Sequence, residues 1–379
     1  MNYKKSKYRL AVLTSHPIQY QAPLFRKLAL HPEIEIMVYF CWNFGVGEEQ
    51  YDPGFGKKIK WDIPLLEGYR YKFLPNISPK PSSSFFGQTN PAIIKELLKH
   101  HYDAIWIHGY TTFSNLLALL GAWLSRTPVL LRGESHLLNY RALWKRFIKR
   151  ISLPLLFKGI SAFLPIGSLN KGYYRYYGVN DRKMFLTPYA VDNDYFHERF
   201  EELFIKREQL KIEEVLVPSL PIILYASKMI PRKRAVDLVK AFHLVSNRVD
   251  AQLVMIGDGL ERPSLEEYIK DNNIKNVYFL GFKNQTELPK FYAISDIFVL
   301  PSTDEPWGLV INEAMNFGLP IITTDRVGAA YDLVKDGENG FIYPVGDIEK
   351  LADLLLKVLK DTELRKKMGR RSLELIAIN

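Results

Sequence analysis

Residues 294–324 read ISDIFVLPSTDEPWGLVINEAMNFGLPIITT. The apolar run at residues 297–300 predicts a strand that is buried on both faces, because it is continuous and does not alternate. Pro306 suits the first turn of a helix, so we predict a helix from about residue 307 to 317. A second apolar run at residues 321–323 predicts the next strand. A strand–helix–strand unit of this kind is typical of a parallel α/β sheet.

The same alternation continues along the whole chain. Further strands are predicted at residues 9–14, 34–40, 104–108, 129–132, 162–166, 222–226, 252–256 and 277–280. Helical patterns lie between them, for example at residues 91–99, 114–124, 235–248 and 351–360. A chain of 379 residues is too long for one ordinary core.

We therefore predict an α/β protein with two doubly wound, Rossmann-like domains facing a cleft. A charged stretch at residues 192–221 is interpreted as a linker plus a helix that opens the second domain. The two predicted domains comprise residues 1–205 and residues 206–379. Residues 41–90 contain clusters such as PKPSSSFFG and are predicted to be loop.

Charge is unevenly distributed between the two halves. The net charge is +10, and residues 1–205 hold 27 Lys and Arg against 16 Asp and Glu. A basic half suggests an anionic partner such as a lipid surface or a pyrophosphate, with solubility as the alternative. No aromatic-interleaved basic motif accompanies the charge, so nucleic-acid binding is not expected. The single Cys41 excludes an internal disulfide and favours a reducing, cytoplasmic setting.

Two glutamates bracket the predicted helix start. Glu305 lies just ahead of it, and Glu313 lies eight residues later, about 12 Å along the helix axis. Between them, the amides of Gly308, Leu309 and Val310 are predicted to point out of the helix N-terminus, where an anion can bind. A nucleotide sugar has this shape, with hydroxyls at both ends and phosphates between. A chance pair, with Glu305 placed by the helix dipole alone, is the alternative.

Two further loops follow strand ends, where open parallel sheets bind their ligands. After the strand at residues 222–226, Lys228 and Lys233 can reach a diphosphate as compact positive charges, with ordinary solvated lysines as the alternative. After the next strand, Gly257 and Gly259 form a tight turn that allows close backbone approach.

Together these motifs resemble glycosyltransferase family 4, the retaining enzymes of the GT-B fold, of the kind found in cell-surface polysaccharide pathways. The E-x(7)-E signature of the family matches as EPWGLVINE. Its donor-phosphate loop matches at Ser227-Lys228-Met229 and Lys233-Arg234, and its Gly-Asp/Glu-Gly turn matches at residues 257–259. The opening SHPIQYQAPLFRKLA also resembles members of the family.

The resemblance implies that residues 1–205 form the acceptor-side domain and residues 206–379 the donor-binding domain. It also implies a role for each matched residue. Glu305 would hold the hydroxyls of the donor sugar, and Glu313 would hold the ribose. Lys228 and Lys233 would neutralise the diphosphate, although Lys228 stands where the family usually has Arg and cannot form a bidentate fork. The base would lie near the main chain that precedes Phe282.

The family also has a histidine after a strand of its first domain, close to the transferred sugar. His108 in AIWIHGY fits this place, with a hydrogen-bonded structural histidine as the alternative. Arg132 and Glu134 in LLRGES are lower-ranked candidates.

We expect a glycosyltransferase that moves a hexosyl group from a UDP- or GDP-sugar to an acceptor hydroxyl with retention of configuration. Its catalytic residues would be Glu305, His108, Lys228 and Lys233. The donor is a substrate, so no separate cofactor is expected. A nucleotide-sugar epimerase and a non-catalytic sugar-binding subunit are the alternatives. A dinucleotide oxidoreductase is disfavoured because no full G-x-G-x-x-G follows the first strand.

No metal site is expected. Asp192-Asn193-Asp194 matches a D-x-D motif, but it lies in the predicted linker and not at a strand end. The resemblance likewise implies a metal-independent enzyme.

The acceptor is inferred from residues 141–159, RALWKRFIKRISLPLLFKG. Cationic and bulky apolar residues alternate there at near-helical spacing, as in helices that lie on anionic membranes. Packing of the apolar face inside the domain is the alternative. We expect a lipid-linked sugar acceptor in polysaccharide or glycolipid biosynthesis, with the enzyme cytoplasmic or peripheral on the inner face of the membrane.

Overall fold

The computed structural model describes residues 7–47, 49–138 and 143–378. Its contacts divide the chain into two compact units. The first unit comprises Met1–Gln50 and Ile63–Pro188, and the second comprises Tyr51–Asp62 and Tyr189–Asn379.

The strands are β1 (Tyr8–Thr14), β2 (Ile34–Phe40), β3 (Gln50–Asp52), β4 (Lys57–Ile59), β5 (Arg70–Phe73), β6 (Ala104–His108), β7 (Val129–Arg132), β8 (Ala162–Phe163), β9 (Ile222–Ala226), β10 (Gln252–Ile256), β11 (Val277–Gly281), β12 (Ile297–Leu300), β13 (Ile321–Thr324) and β14 (Gly340–Tyr343). The helices are α1 (Ala22–Leu30), α2 (Ala92–Lys99), α3 (Phe113–Ser125), α4 (Leu143–Lys158), α5 (Ser168–Tyr176), α6 (Asn193–Phe204), α7 (Arg207–Glu213), α8 (Ala235–Ser246), α9 (Arg262–Asp271), α10 (Leu288–Ile294), α11 (Leu309–Asn316), α12 (Gly328–Leu333), α13 (Ile348–Lys360) and α14 (Thr362–Ile376).

Each unit contains a six-stranded parallel sheet that is covered on both faces. The strand order is β5-β2-β1-β6-β7-β8 in the first unit and β11-β10-β9-β12-β13-β14 in the second. On β1, Ala11 and Leu13 enter one core while Val12 enters the other, because successive side chains of a strand point to opposite faces. Burial on both faces is the reason why the strands are continuous apolar runs. The predicted fold class is confirmed.

All ten predicted strands are present among the described residues, which also contain four further strands: β3, β4, β5 and β14. The prediction of residues 41–90 as loop is wrong in part, because they contain the two-stranded pair β3–β4 and the edge strand β5. Three of the four residues of β5, sequence RYKF, are exposed, so this strand shows no apolar run. The edge strand β14, sequence GFIY, is mostly buried and apolar, but it is only four residues long and was not predicted. The strand predicted at residues 162–166 ends at Phe163.

The stretch predicted as a linker is helical and belongs to the second unit. Phe196 and Leu203 of α6 are buried, as is Leu210 of α7. Arg207 on α7 forms an ion pair with Asp296 at 2.8 Å. The contacts therefore place the change of unit between residues 188 and 189, whereas the predicted boundary was at 205/206.

The strand order of the second sheet reverses at β9. From β9 the chain adds β10 and β11 on one side, and then β12, β13 and β14 on the other. Neighbouring β9 and β12 thus form a topological switch point, and the loops after their carboxyl ends must diverge from a shared crevice. These are the loops that carry Lys228, Lys233 and Glu305.

Helix α4 keeps a row of large apolar side chains in solvent. The row comprises five side chains that are each more than half exposed: Trp144, Phe147, Ile148, Ile151 and Leu155. Farther along the helix, Leu153 and Phe157 are buried in the core of the first unit. One face of α4 thus packs inside the domain, as the second alternative predicts, and the other face is exposed. None of the helices in the described ranges is both long and apolar enough to cross a membrane. Residues 141 and 142 lie outside the described residues.

Candidate functional site

Backbone hydrogen bonds fix the loop that carries Lys228. The amide of Ser227 donates to the carbonyl of Ile256 at 3.1 Å, and the amide of Met229 donates to that of Asp258 at 2.8 Å. Lys228 lies between these two bonds. Its side chain therefore extends from a segment whose backbone is held on both sides.

The glycine turn after β10 makes this arrangement possible. Gly257 and Gly259 have φ of +120° and +153°. A Cβ at Gly257 would lie 2.0 Å from the carbonyl oxygen of Ser227, and one at Gly259 would lie 2.4 Å from that of Met229. The predicted tight turn with close backbone approach is present. The backbone that approaches is the loop after β9, so these glycines position Lys228.

Lys233 and Glu305 form an ion pair at the switch point. The Nζ atom of Lys233 donates to Oε2 of Glu305, and Nη1 of Arg232 lies 3.5 Å from the same oxygen. The amide of Thr303 donates to the carbonyl of Arg232 at 2.8 Å and ties the two loops together. Burial lowers the pKa of Lys233, although Glu305 acts to raise it and Lys228 adds a repelling charge. The structure thus brings together a cation and a carboxylate that stand 72 residues apart.

The helix after Glu305 begins later than predicted. Helix α11 starts at Leu309, and Gly308 is its N-cap with φ of +103°, a left-handed conformation that a helix interior excludes. Trp307 is buried, and its indole N–H donates to Oδ1 of Asn312 at 2.9 Å. The first-turn amides, which no helical carbonyl can satisfy, therefore begin with Leu309 and Val310.

Glu313 lies in a buried environment of its own. The hydroxyl of Tyr292 donates to Oε2 at 2.7 Å, and Nε2 of Gln285 lies 3.4 Å from Oε1. Burial raises the pKa of Glu313, and these two donors only partly offset the effect. The two glutamates of the signature therefore differ in chemistry: Glu305 is ion-paired, whereas Glu313 is held by neutral donors.

Phe282, the predicted neighbour of the base, is surrounded by side chains from Tyr51–Asp62. The ring of Phe55 packs edge-on at 4.8 Å between centroids, and that of Trp61 at 6.1 Å. The Nζ atom of Lys57 lies 5.3 Å from the centroid of Phe282. This surface of Phe282 is thus covered by three side chains.

Lys228 is also paired within the second unit. Its Nζ atom lies 2.9 Å from both carboxylate oxygens of Asp52. Nearby, Nζ of Lys57 lies 3.2 Å from Oδ2 of Asp258 in the glycine turn. The lysine predicted to neutralise a diphosphate is therefore neutralised by a carboxylate in this structure.

His108 lies apart from these residues, in the first unit. It ends β6, stacks on Trp106 at 4.7 Å between centroids, and places Nδ1 3.4 Å from Nε2 of Gln21. Burial lowers its pKa well below the usual value, and the charge of Arg132 acts in the same direction. The imidazole is therefore neutral at physiological pH. The lower-ranked Arg132 donates to the backbone carbonyls of Thr187 and Pro188, and Glu134 is exposed.

The D-x-D match has a structural role. Asp192 caps helix α6 by accepting a hydrogen bond from the amide of Tyr195 at 3.4 Å. Oδ1 of Asn193 accepts from Nδ2 of Asn316 at 2.9 Å. Within the described ranges, no group of three or more His, Cys, Asp or Glu side chains is arranged to hold a metal ion.

Several residues that contact the predicted site residues were not predicted from the sequence. Asp52, Arg232, Gln285 and Tyr292 each contact a predicted site residue directly. Arg232 could have been included because it adjoins Lys233 in PRKR. The others contact residues that are distant in sequence, and no local motif marks them.

The second unit matches a known family. Residues 206–374 match the family model described as glycosyl transferases group 1. A curated relative, the N-acetyl-alpha-D-glucosaminyl L-malate synthase of Bacillus anthracis, is 37% identical over 177 residues, covering 46% of each chain. The sulfoquinovosyl transferase of Arabidopsis thaliana is 27% identical over 295 residues, covering 75% of this chain and 55% of the relative. The chain thus spans about half the length of these curated relatives.

A solved structure shares the fold over nearly the whole chain. The structure of Anabaena HepE in complex with UDP and glucose has a TM-score of 0.72 at 19% identity, covering 98% of this chain and 95% of that one. At this identity the likeness shows the fold alone. The GT-B resemblance inferred from the sequence is confirmed.

Proposed function

We propose, on the premise that residues 206–374 belong to the glycosyl transferases group 1 family, that this chain is a hexosyltransferase. It moves a hexosyl group from a nucleotide diphosphate sugar to an acceptor hydroxyl with retention of configuration.

One observation carries this proposal. The loops after β9 and β12 place Lys228, Lys233 and Glu305 at the switch point of the second sheet. One loop supplies lysines, which suit an anionic group, and the other supplies a carboxylate, which suits hydroxyls. Both lie beside the start of α11, so the site suits a ligand that has both kinds of group. A diphosphate joined to a sugar is such a ligand.

The donor is assigned along this surface as follows. Lys228, Lys233 and the first-turn amides of α11 bind the diphosphate. Glu305 accepts hydrogen bonds from the sugar hydroxyls. Glu313 binds the ribose, and the base lies near Phe282. The solved HepE complex contains UDP and glucose, which supports UDP-glucose as the first donor to test.

The chemistry follows from where charge develops. As the bond between the anomeric carbon and the diphosphate oxygen breaks, negative charge grows on the leaving group, and the lysines and amides stabilise it. The acceptor hydroxyl attacks on the face that the diphosphate leaves and passes its proton to the departing diphosphate oxygen, so configuration is retained without a protein nucleophile. His108, kept neutral by burial, is proposed as a hydrogen-bonding group for the transferred sugar. Neither a metal nor a separate cofactor is required.

The acceptor is proposed to be a lipid-linked sugar. Support comes from the exposed apolar row of α4, which shares its helix with Lys145, Arg146, Lys149 and Arg150. Such a helix suits the interface of an anionic membrane, where the row enters the acyl boundary and the cations meet lipid headgroups. The protein would then act as a peripheral enzyme at the cytoplasmic face, in polysaccharide or glycolipid synthesis.

A thermal-shift screen of the full chain with UDP-, GDP- and ADP-sugars tests the donor. Binding to the folded state raises Tm by an amount that grows with the ratio of ligand concentration to Kd, so one nucleotide class is expected to raise it. Turnover of that donor with short lipid-linked acceptors, followed by NMR of the anomeric proton, then reports the reaction and its stereochemistry. Activity is expected to persist in EDTA.

The same experiment separates the alternatives. A donor that is converted equally with and without acceptor would indicate an epimerase. Binding without any turnover would indicate a sugar-binding subunit. No response to any nucleotide sugar at millimolar concentration would overturn the proposed function.

A further inference from the structure

The segment Tyr51–Asp62, which we call the cap hairpin, packs on the second unit although the residues before and after it belong to the first. It consists of β3, a short turn and β4, followed by a tail that ends at Asp62. Asp62 accepts hydrogen bonds from the amide and the hydroxyl of Thr286, and the carbonyl of Lys60 accepts from Nδ2 of Asn284 at 2.7 Å. These three hydrogen bonds hold the tail close to Phe282.

Asp52 makes the most specific contact of the cap hairpin. Its carboxylate is buried, and both of its oxygens lie 2.9 Å from Nζ of Lys228. Its Oδ1 also accepts from the amides of Gly54 and Phe55, so the turn itself aims the carboxylate. A Cβ at Gly54 would lie 2.8 Å from Nζ of Lys228, which shows how closely the turn and the lysine fit.

The cap hairpin also supplies aromatic rings. Phe55 and Trp61 pack against Phe282, and Nζ of Lys228 lies 4.6 Å from the centroid of Phe55. A carboxylate therefore contacts the residue assigned to the diphosphate, while two rings contact the residue assigned to the base. A nucleotide likewise joins an anionic group to an aromatic ring. The hairpin therefore offers Lys228 and Phe282 the same two kinds of contact that a nucleotide would.

We infer that the cap hairpin is a built-in competitor of the donor and that Asp52 sets the strength of the competition. This inference rests on the proposed function. The donor diphosphate displaces the Asp52 carboxylate from Lys228, and the base displaces Phe55 from Phe282. Because the carboxylate offsets the charge of Lys228 in the free protein, it lowers the affinity for a nucleoside diphosphate.

The test is UDP binding by titration calorimetry to the full chain and to Asp52→Asn, with GDP in parallel. Asparagine keeps an Oδ1 acceptor for the amides of Gly54 and Phe55 but removes the negative charge that faces Lys228. We expect the variant to bind the nucleotide about tenfold more tightly, because binding no longer has to break the charged hydrogen bond between Asp52 and Lys228. Inorganic pyrophosphate, which lacks a base, is expected to gain by a similar factor.

Two further variants separate charge from loosening of the hairpin. Asp62→Asn weakens the other end of the same hairpin and removes the same charge, but leaves Lys228 paired, so its UDP affinity should stay within about twofold of the parent. In a Lys228→Met background, Asp52→Asn should no longer raise the affinity. Should Asp52→Asn fail to fold, Phe55→Leu tests the ring contact alone and is expected to raise UDP affinity but not pyrophosphate affinity.

Hydrogen exchange of the unaltered protein gives an independent readout. Saturating UDP should make the amides of residues 52–60 exchange faster, whereas a hairpin that merely supports the site would become more protected. If UDP binds the parent and Asp52→Asn equally, or protects the hairpin, the inference fails and the proposed function stands. If neither UDP nor GDP binds any of these proteins, both fail together.

Discussion

The Nζ atom of Lys233 donates a hydrogen bond to Oε2 of Glu305, and both side chains are largely buried. The lysine comes from the loop after β9 and the glutamate from the loop after β12. Because each side chain holds the other in place, the group proposed to bind the sugar and the group proposed to bind the phosphate are positioned together. A change in either residue should therefore affect both ends of the donor.

Lys233→Ala is expected to lower kcat/KM for the nucleotide sugar by about 10- to 100-fold, since a charged hydrogen bond contributes roughly 1.5–3 kcal/mol. Arg232→Ala is the matched control, because Arg232 contacts the same Glu305 oxygen with a side chain that is 48% exposed. Its effect should stay below about threefold. Steady-state kinetics of both variants check this, and an unaltered kcat/KM in Lys233→Ala would contradict the phosphate assignment.

Glu305→Gln and Glu313→Gln should separate in their kinetics. Glu305 contacts the transferred sugar in the proposed function, so its variant should lose kcat by about tenfold or more and change the preference among sugars. Glu313 is assigned to the ribose, so its variant should mainly raise the Kd for UDP while kcat changes little. The Kd for UDP is measured from the competition of UDP with the donor. Equal effects on kcat and on UDP affinity in both variants would rule out this division of roles.

The buried carboxyl of Glu313 should make stability depend on pH. Its raised pKa means that the folded chain retains a proton that the unfolded chain releases. The contribution of this group to the free energy of unfolding is thus fully present below the ordinary glutamate pKa of about 4.3, and is lost as pH rises through the folded value. The glutamine of Glu313→Gln cannot titrate. The Tm of this variant should therefore rise relative to the Tm of the parent as pH increases through this window.

Tyr292→Phe provides the companion measurement. It removes a hydrogen bond that lowers the pKa of Glu313, so the loss of stability should extend to higher pH than in the parent. Calorimetric scans of the three proteins between pH 4 and pH 8 make the comparison. Parallel Tm profiles for the parent and Glu313→Gln would show that Glu313 does not titrate in this window.

Gly259→Ala should destabilise the second unit. The new Cβ would lie 2.4 Å from the carbonyl oxygen of Met229, in addition to the strain of a φ of +153°. Gly337→Ala is a matched control, because its φ of +79° is also positive but no atom lies within 4 Å of the new Cβ. We expect about 1–2 kcal/mol for the control and at least 2 kcal/mol more for Gly259→Ala. Equal Tm values for the two variants in thermal unfolding would show that the loop after β9 shifts at little cost to accommodate the new Cβ.

Vesicle sedimentation tests the exposed row of α4. The protein should bind vesicles that contain anionic lipid, and more weakly at high salt. Phe147→Glu with Ile151→Glu should weaken binding by about tenfold or more, since each apolar side chain contributes roughly 1.5–3 kcal/mol on burial. Ser152→Glu, an exposed position on the same helix, adds charge without removing apolar surface and should have a smaller effect. Failure of the parent to bind anionic vesicles would remove this support for a lipid-linked acceptor.

The sequence was sufficient for the parts of the fold that depend on local pattern. A strand buried on both faces must be a continuous apolar run, and so IILYA and QLVMI were recognisable as β9 and β10. The edge strand β5 could not be recognised in this way, because RYKF lies largely in solvent. The start of α11 was misplaced because Pro306 favours a first turn, whereas the left-handed Gly308 delays it.

The site was predictable only in its separate pieces. Lys228 and Glu305 stood out because each follows a strand end. That Lys233 would meet Glu305, and Lys228 would meet Asp52 across 176 residues of sequence, follows from packing and has no local signal. Burial of Glu313 on Tyr292 was likewise hidden, because α10 and α11 meet only in the folded unit.

The chain enters the second unit twice, first for Tyr51–Asp62 and again from Tyr189 onward. Consider a chimera of two relatives that is made by one cut in the middle of the gene. Here such a cut would leave Lys228 and Phe282 of one parent facing the Asp52 and Phe55 of another. A functional chimera therefore needs two exchanged segments, the short one included, and recombination at a single point should give hybrids with mismatched nucleotide affinity.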